Sequence, residues 1–274
     1  MAFLNAKNEN IRIDGTDCDY ISFGSGIDIL IMLPGVGDGF RTAKGVAVPF
    51  AMMYRKFAEH FKVYVFSRRN NILDGFTTGD MADDIAVIMD DLGIENAAFF
   101  GVSQGGMIAQ QMAIRHPDKV SSLVLAVTAS RPNEIMRDSL GSWMEMSDRD
   151  DYAGIMQDTA ERSYTGTYLE RAKMMYAMLA LNSPKDYTRF KVLCSSCLEH
   201  DAYEDLERIS CPTLIIGADS DKVLGGEASI EMAAKIPDSE LYMYEGYSHG
   251  VYEQAKDFND RVLRYLFRQK LRSS

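Results

Sequence analysis

Short runs of β-branched and aromatic residues recur along this chain, and most are followed by a longer stretch with helical spacing. That alternation narrows the fold more than any other feature, because parallel strands need crossover segments of a dozen or more residues between them. The opening "NIRIDGTDCDYISFG" differs and predicts two antiparallel strands about an Asp14-Gly15 turn. There follow "DILIML" (28–33), "KVYVF" (62–66), "AAFF" (97–100), "SSLVLAV" (121–127), "TLIIG" (213–217) and "ELYMYE" (240–245). Eight strands result, six of them apolar enough to be covered on both faces.

The helices between them carry their own punctuation. Met81, Ile85, Ile88, Met89 and Leu92 share one helical face. Thr77 with Asp80 predicts a capping box at its start, and Gly93 a left-handed cap past its end. Met107, Ile108, Gln111 and Met112 mark a second helix that stops before Pro117. Phe258, Val262, Leu263 and Leu266 mark a last one that packs on the sheet. From Arg131 to about Arg208 the alternation gives way to helical stretches alone. The reading is an α/β core of residues 1–130 and 209–274, with residues 131–208 inserted as a helical cap. At 274 residues the chain can bury the large core this requires.

Ser103, in "FFGVSQGGMIAQQMA", follows the fifth strand and opens a helix, with Gly101 and Gly105 two residues either side. A serine on so sharp a turn has strained backbone angles, and flanking side chains would collide. The G-x-S-x-G pattern removes that collision. The turn lifts the hydroxyl above the carboxyl edge of the sheet, where open α/β sheets hold ligands. The competing reading, a phosphate cradle, lacks both the Gly-Lys-Ser/Thr ending and the three-glycine dinucleotide spacing.

A serine hydroxyl needs a base to become a nucleophile. Of the four histidines, His60 and His116 end helices, where a cation is favoured, and His200 sits in the insertion among acidic residues. His249, in "EGYSHGVYEQ", directly follows the last strand and is preferred as the base over a plain structural role in a loop. The base needs an acid to hold its tautomer. "GADSDKVLGG", after the seventh strand, offers Asp219 and Asp221. Asp221 is preferred because it lies further from the strand end, although either residue would serve to cap the turn.

The formal net charge of −11 argues against nucleic-acid and anionic membrane partners. No apolar run approaches the ~20 residues that cross a bilayer. The N-terminus lacks the basic start and apolar run of a secretion signal, so the expected location is the cytoplasm, with reduced cysteines. Cys194 and Cys197 have the C-x-x-C spacing of a redox pair or half a zinc site. Helical spacing accounts for two small apolar residues three apart just as well.

Taken together, "GVSQGG" after strand five, "GADSDKV" after strand seven and "YSHG" after strand eight resemble the α/β-hydrolase superfamily, over nearly the whole chain. The order Ser…Asp…His is that of this fold. "TTGDMADDIAVIMDDLGI" and "MAIRHPDKVSSLVL" are similar to the family's stretches either side of the nucleophile. The resemblance implies an eight-stranded, mostly parallel sheet with a helical cap after strand six. It also implies an oxyanion hole made by the backbone N–H groups of Gln104 and of Val36 in "LPGVGDG". Many relatives have His-Gly where this chain has Pro34-Gly35. Proline has no N–H to give, but Val36 keeps its own.

The expected chemistry is acyl transfer to water on a small, moderately apolar ester or lactone. Ser103 attacks, His249 takes its proton and Asp221 orients the imidazole. No metal or organic cofactor is expected, and the partner is a small-molecule substrate; the letters carry no signature of oligomeric state. A serine nucleophile argues against epoxide and carbon–halogen cleavage, for which relatives use an aspartate. The alternatives are carbon–carbon cleavage of a β-diketone-like substrate by the same triad and a non-catalytic ligand-binding role. The methionines of "WMEMSD" and "AKMMYAML" are expected mostly to pack between cap helices, with some lining an adaptable acyl pocket.

Overall fold

The computed structural model describes residues 3–273. Its strands are β1 Lys7–Ile13, β2 Thr16–Phe23, β3 Asp28–Leu33, β4 Phe61–Arg69, β5 Ala97–Val102, β6 Val120–Ala126, β7 Thr213–Ala218 and β8 Ser239–Tyr244. The helices are α1 Ala47–Met53, α2 Arg55–Ala58, α3 Thr78–Asp91, α4 Gln104–Arg115, α5 Glu134–Asp148, α6 Tyr152–Ser163, α7 Gly166–Ala180, α8 Thr188–Leu198, α9 Glu227–Lys235, α10 Val251–Gln254 and α11 Phe258–Ser273. Each predicted run falls on one of the eight strands.

The strands lie side by side in the order β1-β2-β4-β3-β5-β6-β7-β8. β2 pairs antiparallel with both of its neighbours, and all other pairs are parallel. Asp14 and Gly15 both take positive φ, 47° and 79°, in the tight turn that matches the twist of the first two strands. Alternate residues of the parallel strands feed two cores. Ile31, Leu33, Phe99, Leu123 and Ile215 face one, with α3 and α4. Leu30, Met32, Phe100, Val124 and Ile216 face the other, with α1, α2 and α11. The final helix buries Phe258, Val262, Leu263 and Leu266 there, on the face its periodicity predicts.

Thr77 caps α3 as the sequence predicts. Its hydroxyl accepts the Asp80 N–H at 3.1 Å, and the Asp80 carboxylate accepts the Thr77 N–H at 2.8 Å. Gly93, just past the end, has φ 67°. Three expectations need correction. β8 is only partly covered, because it is an edge strand with a single neighbour, whereas β2 is buried from Cys18 to Phe23 between β1 and β4. Past the first turn of α4 the fully buried glutamine is Gln110, whose side chain donates to the Ala129 carbonyl at 3.1 Å, whereas Gln111 is only partly buried. Met174, Met175 and Met178 on α7 neither pack between helices nor line a pocket; they lie on the surface, Met174 with 73% of its area exposed.

Between β6 and β7, residues 131–208 hold α5 to α8 and a 3₁₀ turn at Glu204–Arg208, with no strand. This segment is tied into the core. Val192 and Leu193 of α8 join the apolar cluster under α3 and α4, and Trp143, Ile155 and Cys194 pack with Met107 of α4. Cys194 and Cys197 are free thiols within this packing, and burial pushes both up, Cys197 to about 12. Such thiols stay protonated and unreactive. Among the described residues no helix is long and apolar enough to cross a membrane.

The strand order fixes where a site can form. The chain leaves β3 for β4 on one side and returns to β5 on the other. The loops after β3 and β5 therefore diverge and leave a crevice at the carboxyl edge of the sheet.

Candidate active site

Ser103 stands where β5 turns into α4, with φ 55° and ψ −123°. A left-handed φ at a residue with a side chain is costly, of order 1–3 kcal/mol, and persists only where its surroundings over-determine it. Here the constraint is the closeness of three backbones. A Cβ on Gly101 would sit 2.3 Å from the Gly105 carbonyl oxygen, and one on Gly105 would sit 1.9 Å from that of Leu33. The glycines of the motif thus let α4 rest directly on β3 and β5. Thr128 donates its hydroxyl to the Ser103 carbonyl at 2.7 Å and holds the turn from the β6 side.

The loop after β3 presses against this turn. A Cβ on Gly35 would lie 3.3 Å from Ser103 Cβ and 3.6 Å from Oγ. The next residue, Val36, opens a short 3₁₀ helix, Val36–Gly39, and Gln104 opens α4. As first residues of their helices, neither has an intrahelical acceptor for its N–H. The Gln104 side chain turns away from the serine. It is fully buried and donates to the Leu193 carbonyl at 2.8 Å and to Ser196 Oγ at 2.9 Å, both on α8.

His249 and Asp221 come together across 28 residues of sequence. His249 Nδ1 lies 2.8 Å from Asp221 Oδ2, and both side chains are buried. The other carboxylate oxygen, Oδ1, accepts the N–H groups of Val223 at 2.8 Å and Leu224 at 2.9 Å. A carboxylate so oriented holds Nδ1 protonated and leaves Nε2 as the basic nitrogen. Asp219, two residues earlier, is exposed and turns to the Gly246 N–H at 2.9 Å. The histidine loop is pinned to the end of α6: Ser248 donates to the Arg162 carbonyl, and the Gly250 N–H to the Ser163 carbonyl at 2.7 Å.

Ser103, Val36 and His249 line one cavity of about 350 Å³, a size suited to a small ligand. Apolar side chains from both core and insertion complete it, among them Phe40, Trp143, Met156 and Phe190. Gln104 does not face it with its side chain. Among the described residues the Ser103 hydroxyl forms no hydrogen bond within the protein, so its link to His249 is one of shared cavity rather than of a hydrogen bond. Catalytic hydrogen bonds often tighten only once substrate is bound.

The remaining histidines serve other ends. His60 packs edge-on against Phe267, with ring centroids 4.8 Å apart. His116 Nε2 lies 2.7 Å from the Asp83 carboxylate. His200 is 2% exposed, with Nδ1 2.8 Å from Thr78 Oγ1 at the start of α3, and burial lowers its pKa to about 3. The folded protein therefore keeps His200 neutral at pH values where the unfolded chain protonates it. Stability from this source is complete above about pH 6.5 and is lost as pH falls from there toward 3, by up to ~1.4 kcal/mol per unit. Urea-unfolding midpoints measured across that range should fall less steeply for His200→Gln than for the parent; parallel curves would refute the assignment.

Sequence reasoning missed what anchors the loop after β3. Asp38 is buried, and its carboxylate accepts the Arg68 N–H at 3.0 Å and pairs with the Arg189 guanidinium from α8. Arg68, buried at the end of β4, donates to the Pro34 carbonyl. Arg189 also donates to the carbonyls of Asp38, Arg68 and Arg69. One carboxylate thus knits the loop, the sheet and the inserted helix. A basic pair ending an apolar strand, "FSRRN", was the only hint in the sequence; Arg189 had none.

Comparison with known proteins agrees with this architecture. The family model described as the alpha/beta hydrolase fold matches residues 28–256. A Caulobacter sp. (strain K31) protein named "Putative carbamate hydrolase RutD" is 27% identical over 219 residues, 75% of this chain and 81% of the relative. The 3-oxoadipate enol-lactonase 2 of Acinetobacter baylyi is 26% identical over 189 residues, 66% of this chain and 68% of its own length. Among solved structures, the enol-lactonase of Burkholderia xenovorans LB400 superposes with a TM-score of 0.81 at 20% identity, covering 94% of this chain and all of that one.

Proposed function

The chain belongs to the α/β-hydrolase family, and from that premise we propose that it is a serine hydrolase acting on a small carboxylic ester or lactone through an acyl-enzyme. One observation carries the reading: a serine forced into left-handed backbone shares a cavity with a histidine hydrogen-bonded to a buried aspartate. In the proposed cycle Ser103 Oγ attacks the carbonyl carbon while His249 Nε2 takes its proton. The imidazolium is stabilised by Asp221 and then gives that proton to the leaving oxygen. Water, deprotonated in the same way, releases the acid and restores the serine. The N–H groups of Val36 and Gln104 are the proposed donors to the tetrahedral oxyanion.

The relatives named for lactone and carbamate hydrolysis support acyl transfer as the shared chemistry. We assign residues 131–208 the part of a cap that closes the cavity with Trp143, Met156 and Phe190, and place the protein in the cytoplasm. A fluorophosphonate probe tests the reading directly. Folded protein should form an adduct at Ser103 and lose it when heat-denatured, and absence of any adduct would favour a ligand-binding role. A series of p-nitrophenyl esters of increasing chain length then measures the acyl pocket. Flat activity across that series beside strong labelling would redirect the assignment to lactones or carbon–carbon substrates.

A further inference from the structure

One residue of the cavity wall has no part in the proposed cycle. Glu253 sits on α10, four residues past His249. The residue is exposed, and it lines the cavity. Oε2 accepts the Tyr164 hydroxyl at 2.5 Å, and Tyr164 Oη lies 3.3 Å from that of Tyr176. Among the described residues Oε1 has no hydrogen-bond partner and no Lys, Arg or His pairs with the carboxylate. Desolvation by the packed protein around it pushes its pKa up. Tyr54, Tyr176 and Tyr252 line the same cavity.

A carboxylate that accepts one tyrosine hydroxyl and has no cation beside it, at the wall of a largely apolar cavity, leaves its charge for a ligand to match. The ligand group that does so best is a cation. It supplies the missing opposite charge, and tyrosine rings favour a cation over a neutral group of the same shape. We infer that the substrates of this cavity carry an ammonium or protonated amine, held by Glu253 within the wall of tyrosines. The inference rests on the hydrolase reading for the identity of the cavity and adds the chemical class of substrate. The net charge of −11 works in the same direction, by raising the local concentration of cationic solutes.

The test separates binding from turnover. In Ser103→Ala protein, calorimetric titration compares butyrylcholine with its neutral isostere, 3,3-dimethylbutyl butyrate. The choline ester, whose quaternary nitrogen acts by charge alone, should bind about tenfold or more tightly than the isostere, and adding Glu253→Gln should bring the ratio close to one. Equal affinities in the parent, or a preference that survives the Gln substitution, would overturn the inference. A second measurement needs no change at position 253: tetramethylammonium chloride should compete with butyrylcholine where sodium chloride of equal ionic strength does not. Equal effects of the two salts would overturn it as well. Failure of the hydrolase reading registers elsewhere, as absence of Ser103 labelling in the unsubstituted protein.

Discussion

Replacing Ser103 by alanine is expected to lower kcat by a factor on the order of 10⁶, while the melting temperature stays within a few degrees of the parent. The two halves of this expectation have separate causes. The hydroxyl makes no hydrogen bond within the described protein, so its removal takes away no contact that folding depends on. The strained φ of 55° is imposed by the close approach of α4 to β3 and β5, and that approach rests on Gly101 and Gly105 rather than on the hydroxyl. The chemistry, in contrast, loses its proposed nucleophile: of the other serine, threonine and cysteine side chains lining the cavity, Thr159, Ser163 and Cys197, none stands on the turn between β5 and α4. His249→Ala should cost about as much, and the double variant little more, because residues acting as one unit do not lose rate additively. Steady-state hydrolysis of a p-nitrophenyl ester measures all three. Residual activity of the alanine variant above one part in a hundred would remove Ser103 from the mechanism.

Asp38→Ala should destabilise the protein by about 3–5 kcal/mol, the usual consequence of leaving buried charge without its partner. In a chain of this size that corresponds to a fall in melting temperature on the order of 10 °C. Two arginines lose their shared carboxylate in this variant. Arg68 is buried outright, so the cost is not relieved by water. Activity should fall with stability, because Asp38 closes the 3₁₀ turn that begins at Val36 and packs beside Ser103. Differential scanning calorimetry measures the first effect and ester hydrolysis well below the transition the second. A melting temperature unchanged within 2 °C would mean that Arg68 and Arg189 hold the loop through its carbonyls alone.

Much of this molecule is legible in its letters because the relevant physics is local. The Thr77–Asp80 cap, the Asp14-Gly15 turn, the strand runs and the G-x-S-x-G elbow each depend on a few neighbouring residues, and each stands where its spacing predicts. Ser103 and His249 could be singled out for the same reason: each follows a strand whose end faces one edge of a parallel sheet. The choice between Asp219 and Asp221 was of another kind. Both residues leave the same strand on the same loop, and only the folded path shows Asp221 buried against the imidazole while Asp219 turns outward to Gly246.

Hydrophobic periodicity and turn chemistry therefore determined, from the sequence alone, the order of elements, the mostly parallel sheet and the edge at which the candidate site lies. Tertiary structure decided which distant polar groups meet there. The bridge from Asp38 to Arg68 and Arg189, the anchoring of Gln104 on α8 and the half-paired Glu253 join residues far apart in the chain. Such pairings follow no period, since a buried charge or amide takes whichever partner the packing brings within reach. Their identity is a property of three-dimensional proximity, and no window of sequence contains it.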